Sequence, residues 1–448
     1  MLDMIMNKIT SEELCKIFFK LEEKYKLLDL TISDVKIWQS LRMQLYYTLA
    51  VQANVEEQGH IRLTKFDKFK KISNYFYNSI IYNPFFCKKT EIVVFSHPRP
   101  KEVNGKIIDI YTKYFIDDLM EKNINFLELE TAYLGEHKKN MINNKSYTDF
   151  IVLVTNVFKK FVSIKFTQEK KELLNSINRD LSRELGISID LTTIIVEGIR
   201  TFKIKKYFYK RLFKKLEAKR LYICPSYGNA DVVSAAKDLK IEVIEIQHGV
   251  FSDYHLGYSF PNRKETLDYF PDKLLVWNQY WKDLVSLPIP YDNIVIRKFD
   301  YLENNIRKYS NIEKEDKLVV LSQGNVGNAI ANLMLNHIEK FKNLKIIYKL
   351  HPGEYDRYKD YKALQKLIEK YKNIVIVEET DIHKLLASSK YQIGINSTAL
   401  YEGVEFGCET ILFDTSGIEY MDKFISFYNL EKIDNLYLSE STKKDLNL

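Results

Sequence analysis

The stretch KLVVLSQGNVGNAIANLMLNHIEKFKNLKIIYKLHPG, residues 317–353, decides the fold. It opens on a short apolar run rich in β-branched residues (317–321), passes through a stretch with helical spacing (329–341) and returns to a second apolar run (345–350). Short β-branched runs bounded by turn residues read as buried strands, and the longer periodic stretch reads as a helix. The alternation continues downstream with helix 361–371, strand 374–377, helix 382–387, strand 391–395, helix 399–406 and strand 409–413. Strict β/α alternation is the signature of a parallel sheet covered by helices on both faces.

Upstream, strands are expected at 91–96, 126–129, 221–224, 241–246, 274–277 and 294–296, with helices at 107–120 and 230–239. Residues 136–150 read as a loop, 151–220 as mostly helical, and the acidic, Asn-rich stretch 303–316 as a boundary. At the N-terminus Thr10 with Ser11-Glu12-Glu13 is a helix start, followed by Ile17, Leu21, Tyr25 and Leu28 at helical spacing and then Trp38, Leu41, Leu45 and Leu49. A chain of 448 residues exceeds one ordinary core. The expected organisation is an N-terminal helical and basic-aromatic segment (1–90), a Rossmann-like domain with a helical insertion (91–305) and a second Rossmann-like domain (306–448).

An apolar content of 46% and a charged content of 28% describe a folded protein rather than a disordered one. No stretch approaches the roughly 20 consecutive apolar residues of a membrane span, and no signal-peptide pattern opens the chain. Cys15, Cys87, Cys224 and Cys408 lie far apart with no metal-type spacing, as in a reduced cytosolic protein, so a cytoplasmic location is expected. The net charge of +7 is mild, but two segments concentrate it. Lysines flank aromatic residues throughout 65–89, and 200–220 holds ten Lys or Arg in 21 residues. Without a nucleic-acid fold motif beside them, these segments point to an anionic membrane surface on the cytoplasmic side, or to solvated helix faces, and not to nucleic acid.

Open α/β sheets bind ligands beyond the carboxyl ends of their strands, so strand-end residues are the candidates. In the second domain, Gly324 lies in the turn 323–327, where the backbone can approach a ligand and a helix N-terminus can meet an anion. His351-Pro352 ends the next strand, with Lys349 on the same approach. Asn396-Ser397-Thr398 opens a helix and Glu402 follows one turn later; the hydroxyls and helix N–H groups suit a phosphate, and the glutamate suits a ribose. The same hydroxyls also serve simply as N-caps, worth about 1 kcal/mol. Glu379 stands at another strand end, where it either contacts a nucleoside or belongs to a cap at Asp381. In the first domain, Gln247-His248-Gly249 leaves a strand, and His248 is a candidate general base because imidazole titrates near neutrality. The aromatic, Gly-containing loop 253–261 is a binding-loop candidate. Asp231 is a helix first-turn residue or, alternatively, a nucleophile.

The order of strand-QHG, FPDKLLVW (270–277) with Tyr280-Trp281, KLHP (349–352) and NSTALYEG (396–403) resembles the GT-B glycosyltransferases of bacterial capsule and lipopolysaccharide assembly. It is nearest to transferases of CMP-activated sialic acid, Kdo or related nonulosonates, and more distantly similar to the CDP-glycerol glycerophosphotransferases. The resemblance spans about 91–425 and implies two Rossmann-like domains facing across a cleft, with N-terminal accessory helices. It implies that His351 and Pro352 contact a nucleotide phosphate, that Ser397 and Thr398 bind the same phosphate, that Glu402 holds the ribose, and that His248 is the base. Asp231 would be needed only for double displacement. Sialyltransferases of this type carry an acidic residue where this chain has Gln247-His248. The implied activity is transfer of a sugar, with a CMP-linked nonulosonate as first choice, to a glycan or lipid-linked acceptor of capsule, O-antigen or lipooligosaccharide, without a metal or other cofactor. The alternatives are a sugar-nucleotide epimerase of the same fold, a CDP-glycerol-type phosphotransferase and a non-catalytic assembly scaffold.

Overall fold

The structure is a computed structural model that describes residues 9–53, 55, 65–103, 105–138, 144–261, 263, 265–324, 326–415, 418–433 and 436–438. The chain forms two compact units, Met1–Lys298 and Phe299–Leu448. The division precedes the expected 305/306 because helix Asp300–Lys308, whose second half was expected to lie in the boundary, packs on the second unit. There Tyr301 sets its ring 5.2 Å from that of buried His383.

The first unit is built on seven strands: β1 (Ile92–Phe95), β2 (Phe126–Glu130), β3 (Lys145–Tyr147), β4 (Arg220–Ile223), β5 (Glu242–Ile246), β6 (Lys273–Val276) and β7 (Ile294–Ile296). Their order is β3-β2-β1-β4-β5-β6-β7 and every pairing is parallel. One face buries Val93, Phe95, Leu221, Ile223 and Val243 against Leu212, Phe213 and Leu216 of the long helix Leu191–Leu216. The other buries Val94, Cys224 and Ile246 against Phe115, Ile116 and Leu119 of helix Lys113–Glu121. That helix starts later than the expected 107, because Lys106–Ile108 pairs with Lys101–Val103 in a short antiparallel hairpin.

The N-terminal helices Ser11–Tyr25 and Ile37–Gln52 share one core with helices Gln168–Leu185 and Leu191–Leu216. Thr10 starts the first of them as expected, accepting from Glu13 N at 3.1 Å while Glu13 Oε2 accepts from Thr10 N at 2.8 Å. Buried Arg42 donates to Glu22 through Nε (2.6 Å) and Nη2 (2.8 Å), and through Nη1 to the carbonyl of Ser259 at 2.8 Å and to that of Leu256. Cys15 Sγ reaches Tyr254 O at 2.9 Å. The helices therefore hold the 253–261 loop from beneath.

β3 lies inside the segment expected to be a loop. Its Lys145 pairs with Glu130 Oε2, and Lys138 Nζ stands 3.4 Å from that oxygen. His137 bridges Glu130 (3.0 Å) and Asp149 (2.9 Å) and stacks on Tyr147 at 3.6 Å. Burial pulls His137 down, but the two carboxylates outweigh it and raise its pKa; burial likewise opposes Glu130, yet its partners hold it at about 2.

The second unit continues with β8 (Glu315–Leu321), β9 (Lys345–Lys349), β10 (Ile374–Val377), β11 (Ser389–Gly394), β12 (Glu409–Phe413), β13 (Glu431–Ile433) and β14 (Leu436–Leu438). The order is β10-β9-β8-β11-β12-β14-β13, parallel through β12 and antiparallel beyond it. Leu318 and Val319 are both fully buried, one on each face, which is why these strands carry unbroken apolar runs. Both units are thus Rossmann-like α/β layers with the winding third, second, first, fourth, fifth strand, and the first carries the accessory helices.

Candidate functional site

In such a winding the crevice lies where the chain reverses direction across the sheet, between the first and fourth strands. In the first unit that is the end of β1, Ser96-His97, beside the end of β4, Ser226-Tyr227, and the next strand end brings His248. Gln247 is fully buried and stitches β5 to β6, its Oε1 accepting from Trp277 N at 3.0 Å. Gly249 turns the chain away at φ +63°. Between them the His248 ring enters the crevice. Its Nε2 lies 2.7 Å from Tyr227 Oη and its Nδ1 3.2 Å from Tyr258 Oη. His97 stacks on it at 5.1 Å, and Tyr111 meets it edge-on at 5.9 Å.

Beneath the ring, Glu245 is fully buried and accepts from Ser226 N (3.1 Å), Ser226 Oγ (2.5 Å) and Tyr258 Oη (2.6 Å). Asp109 fixes His97 by accepting from its N at 2.9 Å and from Tyr111 N at 2.9 Å. Burial holds His248 well below its ordinary pKa, with His97 and His255 adding to the effect. Burial also lowers His97, brings His255 to about 4 and raises Glu245. Burial thus favours the neutral imidazole of His248, whose one lone pair meets a tyrosine hydroxyl.

Asp231 does not join this group. It accepts from Val232 N at 2.9 Å, pairs with Lys205 at 3.7 Å, and lines a separate groove of about 280 Å³ with Lys159, Glu197 and Lys205. The helix first-turn alternative describes it.

In the second unit the corresponding crevice lies between β8 and β11. Gln323 Nε2 spans it to Asn396 Oδ1 at 2.6 Å. His351 leaves β9 in a tight turn: its N donates to Glu354 Oε2 at 2.8 Å, and its Nδ1 accepts from Gly353 N at 3.1 Å. A neutral His351 thus carries its proton on Nε2, as a donor. Glu354 is fully buried, and Ser322 Oγ donates to it at 2.8 Å. A Cβ on Gly327 would fall 1.6 Å from Glu354 Oε1, and one on Gly324 would fall 3.1 Å from His351 Nδ1, so both glycines are used for close approach. Ser397 caps helix Thr398–Glu405 by accepting from Ala399 N at 3.3 Å, and Thr398 is its first residue. Gly324, His351, Pro352, Asn396, Ser397 and Thr398 are therefore carried by the ends of three adjacent strands.

Three other expected residues have different local partners. Lys349 Nζ donates to the carbonyls of Leu350 (2.5 Å) and Glu378 (2.6 Å), and burial lowers its pKa. Glu379 is exposed beyond β10, while Asp381 caps the following helix. Glu402 Oε2 lies 3.2 Å from Nε2 of buried His383, a partner the sequence reading missed. Also missed were His97, Tyr227, Glu245 and Tyr258. His97-Pro98 repeats at the end of β1 the dipeptide that flagged His351-Pro352, and that signal was legible. Among the described residues, no group of three or more His, Cys, Asp or Glu side chains is arranged to hold a metal ion.

No family model matches the chain, and no curated protein sequence matches it. Among solved structures it is similar to UDP-GlcNAc 2-epimerase from Methanocaldococcus jannaschii, with 14% identity over 78% of this chain and 94% of that one and a TM-score of 0.40. It is also similar to the epimerase from Neisseria meningitidis bound to UDP-GlcNAc (13% identity, 76% and 90% covered, TM-score 0.43). MurG from Acinetobacter baumannii gives 11% identity, 75% and 83% covered, and a TM-score of 0.40. Superposition at this level carries no functional argument, which rests on the chain's own residues.

Proposed function

We propose that the chain is a nucleotide-sugar-dependent glycosyltransferase of GT-B type, whose C-terminal crevice holds the nucleotide end of the donor and whose N-terminal crevice supplies the base. The observation that carries this reading is the phosphate-type corner of the second unit. There Gly324 and His351, at the ends of β8 and β9, and Ser397 and Thr398, past the end of β11, are carried by adjacent strand ends, with Gln323 bonded to Asn396 between β8 and β11 and Nδ1 of His351 accepting from Gly353 N. Hydroxyl and N–H donors at such strand ends stabilise the charge that develops on a departing phosphate, and the reading calls on no metal. His248 would take the proton of the acceptor hydroxyl. A CMP-linked nonulosonate remains the preferred donor, and a glycan or lipid-linked molecule the acceptor.

The proposed setting is the cytoplasmic face of a membrane. Among the described residues no helix is long and apolar enough to cross one. Helix Lys65–Ile81 leaves Ile72, Phe76, Tyr77, Ile80 and Ile81 more than half exposed, which supports peripheral contact there. The 200–220 segment supports it less. Phe202, Tyr209 and Phe213 are core residues, and Lys206 and Lys210 are paired with Asp238.

A sugar-nucleotide epimerase is the second reading, favoured by the buried carboxylates Glu128, Glu130 and Asp149 gathered at the end of β2 in the first unit. Thermal unfolding with CMP, CDP, UDP and GDP tests the proposal, since a ligand at 100 times its Kd stabilises by about 2.7 kcal/mol. The expected result is a rise in Tm with CMP or CDP that His351→Ala abolishes. A shift with UDP alone, together with release of a free sugar in the absence of any acceptor, would select the epimerase. No shift with any nucleotide would leave a scaffold.

A further inference from the structure

We infer that Glu245, acting through Tyr258, locks His248 in the tautomer that carries its proton on Nδ1 and leaves Nε2 as the proton acceptor. Glu245 and Tyr258 are thereby positioning residues for the base, a role that rests on the transferase reading, whereas the tautomer itself does not.

The assignment follows from counting protons along one chain of contacts. Burial raises Glu245, but three donors, from Ser226 N, Ser226 Oγ and Tyr258 Oη, oppose that rise and occupy its oxygens as acceptors, which is the environment of a carboxylate. Tyr258 has one hydroxyl proton, and the 2.6 Å contact to Glu245 takes it. Its oxygen can then only accept from His248 Nδ1, at 3.2 Å. The ring proton therefore sits on Nδ1, and Nε2 accepts the Tyr227 hydroxyl proton at 2.7 Å. A base oriented by a buried acidic group through its far nitrogen is the general logic of activated sites, here with a phenol inserted between acid and imidazole.

The other groups that face the ring do not compete for Nδ1. His97 stacks on it with its own Nδ1 near Arg99 O at 3.3 Å, and Tyr111 presents an edge. His255 Nδ1 accepts from Gly257 N at 3.1 Å. The chain is held from outside the crevice by Arg42, which donates to the carbonyls on either side of Tyr258's turn.

The test is nitrogen NMR of protein labelled with ¹⁵N-histidine, with the His248 signals assigned by their loss in His248→Gln. The expected spectrum shows a protonated-type Nδ1 and an unprotonated-type Nε2. Glu245→Leu removes the acceptor that takes the phenol proton, which is then free for Nδ1 and moves the ring proton to Nε2. Tyr258→Phe removes the link and gives a mixture of tautomers; it serves alone if Glu245→Leu does not fold by circular dichroism. Wild-type protein protonated on Nε2, or a folded variant with the wild-type tautomer, overturns the inference. Nucleotide-dependent Tm on the same samples separates the two claims. A wild-type protein with no nucleotide shift sinks the transferase reading and leaves the tautomer standing, and an unmoved tautomer with the shift intact does the reverse.

Discussion

At the residue scale, two positions couple local chemistry to stability. Gly327 faces buried Glu354 so closely that Gly327→Ala must displace the carboxylate from Ser322 and from His351 N. The expected cost is about 1–3 kcal/mol by denaturant unfolding, with a smaller nucleotide-dependent Tm shift because the His351 turn loosens. His255, held at about 4 by burial, titrates between that value and its free value near 6.5. Across that window the unfolded chain holds a proton that the native chain lacks, so stability present above about pH 6.5 is lost as pH falls toward 4. The loss from this group is at most about 3 kcal/mol, less what the half-buried ring's remaining solvent contact screens. Urea unfolding at pH 7 and pH 4.5 measures it together with the losses from His248 and His97, which burial also lowers, and His255→Asn, which keeps an acceptor for Gly257 N, is expected to reduce the difference by the His255 share.

At the element scale, the 253–261 loop owes its shape to helices that precede it by over two hundred residues. Arg42→Met leaves Glu22 buried without its cation and frees the carbonyls of Leu256 and Ser259. It is expected to destabilise by about 3–5 kcal/mol, and hydrogen exchange in 253–261 should rise more than in the strands. The long apolar strands were legible because burial on both faces writes itself as unbroken β-branched runs. β3 was not, since its Lys-Ser-Tyr has no apolar pattern and is held by Glu130 and Glu128. The site was legible in the same uneven way. His248 and His351 stand at strand ends, where local sequence suffices. Tyr227 and Tyr258 were hidden among 31 tyrosines, because what distinguishes them is contact with a residue ten or more positions away. Glu245 looked like an ordinary strand residue until its alternation placed it inward.

At the scale of the whole molecule, two units with separate cores need not unfold together. A nucleotide held by the second unit is expected to raise only one of two calorimetric transitions, and to slow hydrogen exchange in β8–β12 while leaving β1–β7 unchanged. Anionic vesicles test the exposed face of helix Lys65–Ile81: co-sedimentation of wild-type protein should fall in Phe76→Ser/Ile80→Ser, with no loss of Tm because neither side chain is buried. The other outer rim of the first unit has a quieter consequence. β3 closes that end of the sheet, with Lys145 opposite Glu128 and Tyr147 N bonded to Tyr82 O at 3.0 Å. A slip by one residue would turn Lys145 to the opposite side and leave Glu128 and Glu130 with one of their two lysines, Lys138. Charge, not greasiness, thus gives this rim a single way to zip, and concentrated solutions have one less open border along which neighbouring molecules can join into aggregates.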